Sequence, residues 1–228
     1  MSRGLGDVYK RQFVDGDFLY FIDSTYALYE YDLNNHKAYF IADMEAEILR
    51  RGEVSSIIKQ KTDYFIGFKS SGLIQLKYMP DSKVKYSLQS INVQSGIFCL
   101  MKDRFQDIIW VGADGQGLYM YFTDEFSIDN IMLDVPEYRV DNPVRALYQD
   151  QDQTLWIGTK GGGILKMFDF HPDMETLPRA ERILASNSPL MDNSVYSFAP
   201  SRRKLLWIGT ESGLNYYSYS QKRIQEFP

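Results

Sequence analysis

The side chains of this chain that could do chemistry are spread along it, and many recur at equivalent points. Asn142, Arg145, Lys160, Asn193, Tyr196 and Glu211 fall in turns and strand starts, as do Ser95 and Asp114. They offer donors, acceptors, both signs of charge and an aromatic face. That set suits a rim that grips a polar ligand rather than a proton-transfer centre; the plainer alternative is a set of solvated loops. Asp150 and Asp152 have the start of a calcium-loop spacing, but the Asp-x-Asp-x-Asp-Gly run is absent, so they read as a polar turn. Gly161-Gly-Gly163 lacks the following Lys-Ser/Thr and helix of a phosphate loop and reads as a tight turn. Trp110, Trp156 and Trp207 have apolar neighbours, which marks them as packing residues. Tyr196 and Tyr216-Tyr217 are better platforms for a sugar ring. Cys99, within Phe98-Cys-Leu100, reads as a small buried hydrophobe. Two histidines, His36 and His171, are too isolated to build a Ser/His/Asp arrangement. No catalytic residue, metal ligand or cofactor is assigned.

Composition narrows the classes further. The 228 residues are 44% apolar and 24% charged, the balance of a globular domain, with a net charge of −5. An acidic chain without a basic stripe does not fit nucleic acid. No apolar run approaches the ~18 residues that cross a bilayer, so this segment is expected to make no membrane contact. One cysteine excludes an intrachain disulfide. The 17 Tyr, 14 Phe and 16 Gly favour strands and tight turns.

The elements that position these residues repeat. Tyr64-Phe-Ile-Gly-Phe-Lys-Ser-Ser-Gly-Leu73, Trp110-Val-Gly-Ala-Asp-Gly-Gln-Gly-Leu118, Trp156-Ile-Gly-Thr-Lys-Gly-Gly-Gly-Ile164 and Trp207-Ile-Gly-Thr-Glu-Ser-Gly-Leu214 align. Their anchoring glycines, Gly67, Gly112, Gly158 and Gly209, lie 45, 46 and 51 residues apart. Phe65, Trp110, Trp156 and Trp207 stand two positions earlier, and Gly72, Gly117, Gly163 and Gly213 follow. Tyr20-Phe-Ile-Asp-Ser-Thr-Tyr-Ala-Leu28 is a degraded fifth copy. Each copy reads as short strands joined by polar turns, and Asp43 to Arg51 is the one helical-looking piece. Four antiparallel strands per repeat of ~45 residues predict an all-β fold, a β-propeller whose blades seal against each other. The anchoring glycine is expected where the chain approaches the next blade, and the Trp as a plate between blades.

Leu155-Trp-Ile-Gly-Thr-Lys-Gly-Gly-Gly-Ile-Leu165 and Leu206-Trp-Ile-Gly-Thr-Glu-Ser-Gly-Leu214, with their starts Asn142-Pro-Val144 and Asn193-Ser-Val195, resemble the two-component regulator propeller repeat. The resemblance covers residues 13–228. It is strongest in the last two copies; the second lacks the Trp and the first lacks both glycines. It implies the periplasmic sensor region of hybrid histidine kinases of Bacteroidetes, which respond to oligosaccharides from glycan breakdown. Implied partners are a neighbouring propeller and an immunoglobulin-like domain of the parent receptor, with a homodimer as a further expectation. The kinase module is not in this chain.

Blade boundaries are expected near 13–41, 54–88, 97–133, 144–184 and 194–227. The first copy is expected to supply only its last three strands, its innermost one falling near Val8 to Phe13. Residues 1–12, MSRGLGDVYKRQ, read as a non-native leader, with a native disordered arm as the alternative. Seven blades of ~45 residues need ~315, so an open fragment is expected, with a closed five-bladed ring as its competitor. The functional expectation is a non-catalytic sensor propeller. The alternatives are a glycan lyase or hydrolase built on the same fold, and a protein-binding scaffold.

Overall fold

A computed structural model describes residues 12–130, 139–172 and 178–227. These form five four-stranded antiparallel sheets, each a meander in which sequential strands pair. The first comprises β1 (Gln12–Asp15), β2 (Phe18–Ile22), β3 (Ala27–Asp32) and β4 (Lys37–Asp43). Helix α1 (Glu45–Arg51) leads to β5 (Val54–Gln60), β6 (Asp63–Phe68), β7 (Leu73–Tyr78) and β8 (Tyr86–Ile91). The third sheet is β9 (Ile97–Lys102), β10 (Ile108–Ala113), β11 (Leu118–Phe122) and β12 (Ser127–Asn130). The fourth is β13 (Val144–Gln149), β14 (Leu155–Thr159), β15 (Ile164–Met167) and β16 (Ala180–Ile183). The fifth is β17 (Val195–Ser201), β18 (Leu205–Thr210), β19 (Leu214–Ser218) and β20 (Arg223–Glu226). The all-β propeller architecture expected from the repeats is therefore present, and the helix lies where the sequence suggested. Glu45 and Glu47 in its first turn and Arg50 and Arg51 in its last complement its dipole.

Three boundaries differ from expectation. The first blade has its innermost strand: Gln12 to Asp15 pair with Phe21 to Phe18 as β1, beginning later than Val8. Gln12 is thus in the fold; the rest of the expected leader lies outside the described residues. The fourth strand of the third blade is Ser127–Asn130, and the remaining residues to the expected boundary at 133 lie outside the described residues. In the fourth blade the outer strand is Ala180–Ile183, ending one residue short of the expected boundary at 184.

The chain divides into two compact units, Met1–Ile97 and Phe98–Pro228. In the first, Tyr20, Leu28 and Met44 pack with Ile57, Tyr64, Ile66 and Ile74 between the first two sheets. A polar clasp crosses the same joint. Lys59 Nζ donates to Glu30 Oε2 at 2.9 Å and Tyr64 Oη donates to the same oxygen at 2.6 Å. In the second unit one core joins Trp110, Leu118 and Met120 to Val144, Ile157 and Leu165, and another joins Trp156 and Ile164 to Val195, Ile208 and Tyr217. Each blade presents an apolar face that only its neighbour can cover.

Gly112 and Gly158 act as the spacing implied, whereas a Cβ on Gly209 would meet only Ser197 of its own sheet. A Cβ on Gly158 would lie 2.8 Å from Val195 Cγ1 and 3.1 Å from Phe198, both on the next blade. Gly163, at φ +70°, holds a left-handed turn position, and a Cβ there would strike the Ile183 carbonyl.

Trp110 and Trp156 are the expected plates, 1% and 0% exposed. Trp110 meets Phe170 edge-to-face at 5.3 Å, and Trp156 meets Tyr217 at 4.8 Å. Trp207 departs from the expectation. It is only partly buried and packs within its own sheet region, against Tyr216 at 5.5 Å and Phe227 at 5.3 Å.

Candidate functional site at the head of the first strands

The first strands of neighbouring sheets come together, with β13 in contact with β17. Within the second unit β9, β13 and β17 each begin a sheet, and the second residues of these strands are Phe98, Arg145 and Tyr196. In β13 the pairing slips between Val144, opposite Thr159, and Ala146, opposite Gly158, so Arg145 is an extra, bulged residue. The same slip in β17 bulges Tyr196, and in β5 it bulges Ser55. A bulge breaks the alternation of the strand and re-aims one side chain. The equivalent residue of β9 is Phe98.

In the second unit this produces a row across three blades. The Arg145 guanidinium lies over the Phe98 ring, its carbon 3.4 Å from the centroid. Beyond it, Tyr196 Oη donates to Glu211 Oε2 at 3.0 Å. That bond, with the nearby carboxylate charge, raises the Tyr196 pKa, while the Arg145 charge pulls it the other way. Arg145 Nε is buried and has no hydrogen-bond partner among the described residues. Arginine and tyrosine beside a carboxylate can grip a polar ligand from several sides, with the Phe98 and Tyr196 rings as apolar surfaces.

The other rim candidates do different work. Asn142 Nδ2 donates to the Lys160 carbonyl at 3.0 Å, holding the Gly161 to Gly163 turn near the head of β13. Lys160 is exposed on that turn, its N–H bound to the Pro143 carbonyl at 2.9 Å. Asn193 is structural: its Oδ1 accepts from Ala185 N at 2.8 Å, and its carbonyl accepts from Gly161 N and Gly163 N. The Ser95 carbonyl accepts from Gly72 N at 2.8 Å, an equivalent tie in the first unit. Asp114 is exposed on the turn after β10. The structure thus brings together Arg145, Tyr196 and Glu211, places Asn142 and Lys160 on the adjoining turn, and ties Asn193 into the backbone.

Two features were not read from the sequence. Phe98 is one; aligning the second residue of each first strand would have found it. The other is the role of the polar turns. Asp150 Oδ1 accepts the N–H groups of Asp152 and Thr154 at 3.0 and 2.9 Å, while Oδ2 accepts the Trp156 indole N–H at 3.0 Å. Asp103 does the same for Trp110 at 2.8 Å, and also accepts from Gln149 Nε2 of the next blade at 2.9 Å. Cys99 has its Sγ 3.6 Å from the Val144 carbonyl and beside Gly112, as a small packed group. Burial pushes its thiol pKa up to about 12.

A separate cleft of 780 Å³ in the first unit is lined by Tyr39, Phe40, Tyr78 and Tyr86 around Glu30 and Lys59. Its charged pair is already mutually satisfied, so we place the candidate site at the rim. Among the described residues no group of three or more His, Cys, Asp or Glu could hold a metal. Among the same residues no helix is long and apolar enough to cross a membrane.

Meandering blades joined through their first strands, with a polar rim above them, define a β-propeller repeat protein. Residues 139–161, which contain Asn142, Arg145, Lys160 and the Trp156 to Gly158 strand, match the family model described as two component regulator propeller. That stretch is similar to the repeat of that family. The chain is 24% identical over 180 residues to histidine kinase P4 of Formosa agariphila, a match covering 77% of this chain and 13% of that kinase. Among solved structures it resembles the extracellular domain of the putative one component system BT4673 from B. thetaiotaomicron, with a TM-score of 0.63 and 22% identity over 90% of this chain and 26% of that one. The extracellular domain of the putative hybrid two component system BT3049 from the same organism gives 0.63 and 21%, over 92% and 28%. The β-propeller domain of Cps50 (Swd1) from Myceliophteria thermophila also gives 0.63, at 8% identity, over 96% of this chain and 72% of that one. The chain spans about a quarter of the two extracellular domains and much less of the kinase.

Proposed function

We propose that this chain is a non-catalytic sensor segment of a two-component signalling receptor, working in the periplasm and binding glycan-derived oligosaccharide at the rim of its first strands. The observation that carries this is the coincidence of two things at residues 139–161. The two component regulator propeller model matches there, and the bulged Arg145 is displayed there beside Phe98 and Tyr196. The named relatives, a histidine kinase and extracellular domains of putative signalling systems, support the signalling context and a location outside the cytoplasm. Ligand binding would bias how the segment packs against adjoining domains of a parent receptor, and so shift its signalling state.

The test pairs a thermal-shift screen against a panel of glycan oligosaccharides with a turnover assay on the same panel. A rise in Tm without product is expected. Product formation overturns the non-catalytic reading in favour of a lyase or hydrolase. Neither response overturns the ligand reading and leaves a protein-binding scaffold.

A further inference from the structure

Arg145 is an incomplete group. Its guanidinium has five N–H donors, yet among the described residues it makes neither a hydrogen bond nor an ion pair. One donor, Nε–H, is buried from water as well. A buried, unpaired donor on a charged group is unfavourable, and such groups in a native fold point to a missing partner. The fold nevertheless holds this arginine firmly. Its face is stacked on Phe98 at 3.4 Å, and its backbone is fixed by the bulge between Val144 and Ala146. Stacking occupies the face of the planar group and leaves its N–H edge free, which suits the bidentate capture of an oxyanion.

The surroundings narrow the ligand. The nearby carboxylate, Glu211, is engaged by Tyr196 Oη and is not within ion-pairing distance of Arg145 among the described residues. Glu211 can still accept hydrogen bonds from hydroxyl groups, and the exposed Tyr196 ring, on the next blade, offers a stacking face. One ligand chemistry suits all three: a hydroxyl-bearing ring with a single acidic group.

We infer that the Phe98, Arg145, Tyr196 and Glu211 row is a receptor for an acidic sugar, with a carboxylate or sulfate on Arg145 and ring hydroxyls toward Glu211. This rests on the sensor reading above and adds the chemical class of its ligand.

The test uses the full chain and titration calorimetry with three probes: a disaccharide bearing one uronate, a monosulfated disaccharide and a neutral disaccharide. Wild type should bind one of the acidic probes and not the neutral one; which acidic probe binds distinguishes carboxylate from sulfate. Arg145→Gln should weaken that binding at least tenfold while leaving Tm near the wild-type value, since Arg145 makes no hydrogen bond to the protein. Glu211→Gln should strengthen it several-fold by removing a like charge. Opposite effects of these two substitutions are not expected of residues that are merely structural. Equal binding of the neutral probe, or an Arg145→Gln variant that binds the acidic probe as wild type does, overturns the acidic-ligand inference and leaves the sensor reading standing. Silence from every probe in wild type overturns the inference, and the sensor reading falls only if the wider oligosaccharide panel is silent too.

Discussion

At the scale of single residues, the carboxylates of the polar turns are more consequential than surface aspartates usually are. Asp103 caps its own turn through Phe105 N and Gln106 N, and holds both the Trp110 indole and Gln149 of the next blade. Asp103→Ala would leave two buried donors unpaired. We expect a loss of about 2–4 kcal/mol in urea unfolding. The fifth blade has Ser201 at this point, whose Oγ accepts from Arg203 N at 3.2 Å on an exposed turn. Ser201→Ala should cost no more than about 1 kcal/mol; equal losses in the two variants would contradict the indole-anchoring role. Cys99 gives a second test. Burial raises its thiol pKa to about 12, against the downward pull of a backbone hydrogen bond at Gly112 and of the Arg145 charge. The folded chain therefore keeps a proton that the unfolded chain loses above about pH 8.5. The stability this contributes is complete below that pH and is lost as pH rises toward the folded value. At pH 8 the folded chain should react with a thiol reagent on the order of a hundredfold more slowly than the urea-unfolded chain; comparable rates would show an open thiol.

At the scale of elements, close approach between strands is what the anchoring glycines provide. Gly158→Ala should destabilise by about 1–3 kcal/mol, because its Cβ would meet Val195 and Phe198 of the neighbouring blade. Gly209→Ala should cost less, since the new Cβ would meet only the Ser197 side chain of its own sheet. The same contrast shows what the sequence could reveal. Glycine and aromatic at fixed offsets disclosed the middle strands, because every blade needs the same narrow backbone and the same apolar plate. The innermost strand of the first blade was hidden, since Gln12 to Asp15 carry neither mark and declare themselves only by pairing with β2. The partial exposure of Trp207 was equally hidden: its motif matches that of Trp156, and only its surroundings differ. Arg145, Tyr196 and Glu211 could be picked out as rim residues from their offsets. That a bulge displays Arg145 and Tyr196, and that Phe98 lies beneath the guanidinium, could not. A one-residue slip in register leaves no trace in composition.

At the scale of the molecule, stability should be local within each unit, because blades there are sealed against sequence neighbours through separate cores. The joint between the first two sheets relies on Glu30, which accepts from both Lys59 and Tyr64. Glu30→Ala would strand a partly buried ammonium and a buried hydroxyl. Breaking such a pair by removing one partner costs about 3–5 kcal/mol when both are fully buried. Here the Lys59 side chain is 25% exposed, so we expect about 2–3 kcal/mol. Native-state hydrogen exchange is the appropriate measurement, since it resolves where the stability is lost. Amides of β2, β3, β5 and β6 should lose protection, while those of β14, β15, β18 and β19 keep theirs. Asp103→Ala should produce the complementary pattern, loosening β10, β11, β13 and β14 and sparing β2 and β3. If either substitution lowered protection uniformly along the chain, the blades would be folding as one cooperative block. Their repeat character would then be a matter of sequence alone and not of energetics.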